Sequence, residues 1–345
     1  MSSARAFPLP LTPKERVRRV LYREPVDRLP TQCNYTAKMG KTLAEYFKVS
    51  LAELPARLGN HLLRVEVTPP RRFREDGRVQ FDWWGAGWST ETEGYWHSVA
   101  PLAHSNDLAH FPWPEADAPH LLDDAARSLE EHGQLFVMPN FGICLFERAW
   151  SLRGFDRLLV NMVEMPEWVE CLLDHITEVQ VRLAQRFLDL GVDGGYFGDD
   201  YGAQHSMLFS PRLWRRLIKP RLARMFAVYR NAGLPVILHS DGDIRPILPD
   251  LVEIGVTALN PVQPEVLDHA WLSREFGASL SFYGGISTQV AMPKTEAVRE
   301  ATLECARQLA PSGTGLILGP SHRMQSDIPP RSVEAMLEAF RELGA

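Results

Sequence analysis

From about residue 130 onward, short β-rich apolar runs alternate with longer amphipathic stretches, a pattern that confines the chain to consecutive βα units. The runs at 134–139, 192–197, 235–238, 256–259, 279–283 and 315–318 read as strands, and 165–190, 211–232 and 295–309 as helices between them. Ser210 followed by Pro211 is a sound start signal for the second of these helices, because serine caps and proline tolerates the first turn. Two further strand candidates, near 29–33 and 62–67, bring the number to eight. Eight βα units close naturally into a barrel, so the expected fold is α/β: a single (β/α)8 TIM-type barrel across residues 1–345, with an N-terminal helical extension. The stretch 73–98 is rich in tryptophan and glycine, lacks a helical period, and reads as an inserted hairpin. No internal repeat, low-complexity tract or long linker divides the chain.

Composition removes several functions. A formal net charge of −6 gives no basic field to gather a nucleic acid or an anionic membrane surface. With 45% hydrophobic and 23% charged residues the chain can bury a sizeable core, yet no segment approaches a membrane span. The opening MSSARAFPLPLTPKERVRR lacks the apolar core of a signal peptide, so a cytoplasmic protein is expected. Cys33, Cys144, Cys171 and Cys305 are scattered, without a CxxC pair, and read as reduced thiols.

The residues that follow each apolar run carry the chemistry. Gly198, Asp199 and Asp200 follow the 192–197 run, and His239, Ser240 and Asp241 the 235–238 run. Asn260 and Gln263, then Gly284 and Gly285, then Ser321 and His322 follow the next three. In a barrel of this kind such positions face one mouth, where catalytic groups sit. One of the two aspartates could instead cap the next helix, since aspartate is a favoured cap, but both cannot cap one end. His205 and His269 are read as structural.

His239 and Asp241 are separated by one residue on an extended segment, which puts both side chains on one side of the strand. That suits two ligands of one metal ion, with His322 as a third, or else a metal-free acid/base pair.

These residues carry a family likeness. LTPKERVRRVLYREPVDRLP, DWWGAGW, LFERAWSLRGFDRLL, GDDYGAQHSMLFSPRLWRRLIKPRL, LHSDGDIRPILPDLVEIGVTALNPVQPE, FYGGISTQ and GPSHRMQSDIPPRSVEAM resemble, in order, segments of the uroporphyrinogen decarboxylase-like superfamily. The resemblance implies the same barrel and one of two chemistries. One is decarboxylation of the acetate arms of a porphyrinogen without a cofactor. The other is methyl transfer to or from a corrinoid, with zinc activating the substrate atom.

The haem-pathway decarboxylases carry an arginine-rich RQAGR-type motif after the first strand, whereas this chain has TQCNYTAKMG, with Lys38 as its only cation. An acidic porphyrinogen would lack its clamp, because the arginine fork is what suits carboxylates. The chain is therefore more similar to the methyltransferase branch. That branch's His-x-Cys matches His239-Ser240-Asp241, and its late cysteine falls at or beside His322. A nitrogen and oxygen ligand set is harder than one with thiolates and suits an oxygen-bearing substrate.

The expectation is thus a metal-dependent methyltransferase or demethylase acting on a small, O-methyl substrate. Zinc or a similar divalent ion is held by His239, Asp241 and His322; Asp200 and His239 are catalytic; Trp84, Trp88, Tyr283 and Gln263 bind substrate. The methyl acceptor is a corrinoid or a folate, the former on a partner corrinoid protein. The alternatives are a decarboxylase of uroporphyrinogen or a smaller acid, and a non-catalytic barrel that binds a corrinoid or a partner.

Overall fold

The computed structural model describes residues 10–91, 93–94 and 96–344; residues 1–9 of the opening segment weighed above for a signal peptide lie outside them. The described strands are β1 (Leu62–Val65), β2 (Arg72–Phe73), β3 (Val79–Phe81), β4 (Gly87–Ser89), β5 (His97–Val99), β6 (Phe136–Phe141), β7 (Gly195–Gly198), β8 (Val236–His239), β9 (Ala258–Asn260), β10 (Ser281–Ile286) and β11 (Leu316–Pro320). Seven of them form one sheet in chain order, β1-β6-β7-β8-β9-β10-β11. The fold is α/β, of the TIM-barrel class. No helix among the described residues is long and apolar enough to cross a membrane.

The chain divides into two compact units, the first made of residues 1–63, 132–137 and 257–345, the second of 64–131 and 138–256. In the first unit the remaining strand of the eightfold pattern, expected at 29–33, contracts to one residue: Thr31 bridges in parallel to both Asn60 and Leu318. Its flanks complete the ladder, with Gln32 N donating to Leu318 O at 3.0 Å and Leu318 N donating to Pro30 O at 2.9 Å. Pro30 has no N–H to offer, which limits how far a regular ladder can run there.

The N-terminal helix Pro13–Leu21 begins as the chemistry of its first residues requires. Thr12 Oγ1 accepts from Glu15 N, and Pro13 fills the first turn. Its apolar stripe, Val17, Val20 and Leu21, is fully buried, and Ser281 Oγ at the start of β10 donates to the carbonyls of Val20 and Leu21.

In the second unit β7 and β8 pair in parallel from Gly195 with Val236 to Gly198 with His239. Phe197 turns outward onto Phe226 and Tyr229 of the helix Lys219–Arg230, and stacks on Phe141 of β6 at 4.9 Å. Alternation then turns Tyr196 and Gly198 to the other face of the sheet. Gly195 is obligatory, because a Cβ there would lie 2.6 Å from the Tyr229 ring.

The expected helix at 211–232 is interrupted. A five-residue π turn, Trp214–Ile218, stands between Pro211–Leu213 and Lys219–Arg230. Pro220 supplies the cause, since it has no N–H to close the regular ladder across that point. The cap holds as expected, with Ser210 Oγ accepting from Leu213 N.

The insert is larger than a hairpin. Stretch 73–98 lies within a four-stranded antiparallel sheet, β2-β3-β4-β5, because the tight turns near Gly77 and Gly85 allow successive reversals. None of the four cysteines forms a disulfide, as their scatter predicts.

Candidate functional site

The loops that leave β7 and β8 are stitched together by their backbones. Gly202 N donates to Asp241 O, Asp243 N donates to Ala203 O at 2.8 Å, and Tyr201 N donates to Ser240 Oγ at 3.1 Å. They cross at two glycines. A Cβ on Gly202 would lie 2.5 Å from Asp243 N, and one on Gly242 would lie 2.3 Å from the carbonyl carbon of Gly202. Only glycine permits so close a crossing.

The crossing brings Asp200, His239 and Asp241 together. Asp200 Oδ1 accepts from Asp241 N at 2.8 Å, His239 Nε2 lies 3.4 Å from Asp241 Oδ1 and 3.8 Å from Asp200 Oδ1. One ligand atom from each falls within 4.8 Å of the others, and all three side chains are partly exposed. Among the described residues this is the group of His, Cys, Asp and Glu side chains with the spacing a metal ion requires.

Asp199 plays a different part. It is fully buried, and its carboxylate accepts from Phe146 N at 2.8 Å, Glu147 N at 2.7 Å and the Tyr201 hydroxyl at 2.6 Å. It therefore caps the helix Phe146–Arg153, which precedes it in the chain and has no side-chain cap of its own. Burial pushes the Asp199 carboxyl up to about 6, although these three donors pull it down.

The same helix delivers Glu147, which sequence reasoning missed. Burial first, then the charges of Asp200, Asp199 and Asp241, drive its carboxyl well above the usual range, while a backbone donor at Asp200 pulls it down. Glu147, Asp199, Asp200 and Asp241 are thus close enough for their charges to act on one another. The usable signal was an acid opening the apolar helix FERAWSLR.

A second missed residue is Arg64 on β1, whose guanidinium carbon lies 4.6 Å from the centroid of the Tyr196 ring. That ring is in turn 6.3 Å from His239. A cation in the strand LLRV was the available signal.

The other predicted positions are distributed as follows. Trp84 and Trp88 belong to the aromatic insert of the second unit. Trp84 is buried beneath Arg148, and Trp88 Nε1 donates to Asp82 Oδ2 while the ring packs on His97 and Trp150. Arg148 is ion-paired with the same Asp82. Tyr283 and Gln263 are buried in the first unit, where the Tyr283 hydroxyl accepts from Asn34 Nδ2 at 2.7 Å. His322 also lies in the first unit, its Nδ1 3.4 Å from Ser321 Oγ. His269, read as structural, is buried with Nε2 2.8 Å from Val262 O.

Residues 124–343 match the sequence model of uroporphyrinogen decarboxylase (URO-D). The chain belongs to the URO-D family. A uroporphyrinogen decarboxylase from Pseudomonas savastanoi pv. phaseolicola is 24% identical over 96% of this chain and 97% of its own length. One from Thermus thermophilus is 28% identical over 50% of this chain, which spans only 48% of that relative. Among solved structures, a methyltransferase from Methanosarcina mazei superposes with a TM-score of 0.72 at 19% identity, covering 97% of this chain and all of the other. At that identity the likeness establishes a shared fold.

Proposed function

We propose that this URO-D family chain is a metal-dependent methyltransferase or demethylase that moves a methyl group from a small O-methyl substrate to a corrinoid or folate acceptor. The observation that carries this reading is the cluster Asp200, His239 and Asp241, one nitrogen and two oxygen donors within 4.8 Å. The donor set fits zinc or a similar divalent ion, and the surrounding acidic groups favour a cation of high charge. When bound, such an ion polarises the methyl-bearing oxygen and makes it a better leaving group.

The chain's own residues supply the rest. The crossed Gly202 and Gly242 loops fix Asp200 and Asp241 relative to each other, so the donors need little rearrangement. Methyl transfer breaks the C–O bond with its electron pair left on oxygen, forms a bond from the methyl carbon to the acceptor, and requires a proton for the departing oxygen. His239 Nε2 lies 3.4 Å from Asp241 Oδ1 and 3.8 Å from Asp200 Oδ1, so the three side chains would together hold the ion that receives the substrate oxygen. The Methanosarcina methyltransferase fold and the absence of an arginine clamp in TQCNYTAKMG favour this chemistry over porphyrinogen decarboxylation. The full-length decarboxylase relatives keep the second reading worth testing.

Elemental analysis of purified protein tests the proposal. About one equivalent of zinc or a similar ion is expected, falling to less than a tenth in His239→Ala and Asp241→Ala, because a site with so few donors has none to spare. The His322→Ala protein, measured alongside, reports whether that histidine is a further ligand. Full metal retention in both His239→Ala and Asp241→Ala overturns the metal reading, and turnover of uroporphyrinogen by the unsubstituted protein overturns the ranking of the two chemistries.

A further inference from the structure

The first unit carries a second polar site, unrelated to the cluster above. A recess of about 140 Å³ is lined by Arg28, Arg57 and Arg341, with Leu58, Leu337 and Phe340 forming apolar walls. Three arginines lining one small space repel one another and leave it electropositive unless something offsets their charge.

The carboxylates beside them in sequence are committed elsewhere. Asp27 is gripped by Arg16 at 2.7 Å, and Glu342 by Arg299 at 2.6 Å. Arg57 rests on the Phe47 ring at 4.5 Å, which holds its guanidinium in place without neutralising it. Among the described residues none of the three lining arginines is ion-paired to a carboxylate. Arg28 is also affected by its surroundings: burial and the charge of Arg16 pull its guanidinium below the usual value, against an opposing pull from Asp27.

We propose that the Arg28–Arg57–Arg341 recess is an anion site that takes a phosphate or phosphate-monoester dianion. A carboxylate would balance one of three positive charges, whereas a tetrahedral dianion carries two charges and can accept from several guanidinium forks at once. The space is several times what one ordered water needs, so a group with four oxygens fits. The apolar side, Leu58, Leu337 and Phe340, accommodates the carbon portion of an ester.

Calorimetric titration with inorganic phosphate, at ionic strength held constant with sodium chloride, tests this directly. Saturable binding with Kd of about 1 mM or below is expected for the unsubstituted protein. Arg57 and Arg341 are both exposed, so the double variant Arg57→Gln/Arg341→Gln should fold normally, as its circular dichroism and thermal midpoint will report. Its phosphate affinity should fall about tenfold or more. Arg274→Gln, which removes a surface ion pair with Glu275 elsewhere in the unit, should bind phosphate as the unsubstituted protein does. No saturable heat up to about 20 mM phosphate, or undiminished affinity in the double variant, overturns the assignment.

Discussion

The ends of β7 and β8 and the segment around His61 both bury ionisable groups, with opposite outcomes. Around His61, Arg16 grips Asp27 through two donors at 2.7 Å, and its Nη1 lies 2.9 Å from His61 Nε2. A guanidinium only donates, so His61 Nε2 accepts, and its Nδ1 carries the proton given to Gly59 O at 2.8 Å. Each charge there has an opposite partner or a hydrogen bond that suits it. At the ends of β7 and β8, Glu147, Asp199, Asp200 and Asp241 crowd together instead, and two of the carboxyls are driven upward by burial and by one another. Matching of that first kind supports a fold. Crowding of the second kind persists where a ligand or cation has work to do.

The sharpest way to break this contrast is to remove Arg16, which is itself almost fully buried. Arg16→Met keeps much of the volume but leaves His61 Nε2 without its donor and Asp27 without its partner. A loss of about 3–4 kcal/mol in urea unfolding is expected, somewhat below the figure for a wholly buried pair because Asp27 still reaches water. A loss below about 1 kcal/mol would show that the matched network is not a support at all.

A smaller effect should appear on acidification. Burial, with the charges of Arg16 and Arg28, lowers His61 to about 4, against the upward pull of Gly59 and Thr31 carbonyls. Since the folded value lies below that of the unfolded chain, the unfolded state binds the proton first as pH falls. Stability should drop progressively between about pH 6.5 and 4, by roughly 3 kcal/mol in all, and this contribution should be flat below that window. In His61→Asn, whose side chain can still meet the Gly59 carbonyl, the same pH series of unfolding midpoints should be shallower. An identical slope in both proteins would remove His61 from the account.

Much of this was legible in the sequence, and the misses have physical causes. The strands at 134–139, 235–238 and 315–318 were found from their apolar runs, yet the observed strands end later, at Phe141, His239 and Pro320. Parallel pairing depends on backbone geometry, so a strand continues past its last apolar residue onto the polar ones that build a mouth. For the same reason His239 and Asp241 stood out, while Glu147 did not, because its helix follows an earlier strand, β6, and meets β7 only in three dimensions. One of the two aspartates was weighed as a cap of the next helix; Asp199 instead caps the helix that precedes it, a relation spacing alone does not reveal. Gly202 and Gly242 drew no reading from the sequence, because their crossing exists only in three dimensions.

The finest test sets the two adjacent aspartates against each other. In Asp199→Asn the amide oxygen can still accept from one backbone N–H of the Phe146–Arg153 helix, but its NH2 must face the other N–H or the Tyr201 hydroxyl. One buried donor is left unsatisfied, so a loss of about 1–3 kcal/mol is expected. Asp200→Asn, partly exposed, keeps an oxygen for Asp241 N and removes one like charge from the crowd, so its stability should stay within about 1 kcal/mol of the unsubstituted protein. Its turnover should nonetheless fall by about 100-fold or more if the carboxylate binds the ion or handles a proton. Thermal midpoints and rates measured on both variants decide the matter: comparable destabilisation in the two, with activity lost only in Asp199→Asn, would exchange their roles and place the chemistry on the buried residue.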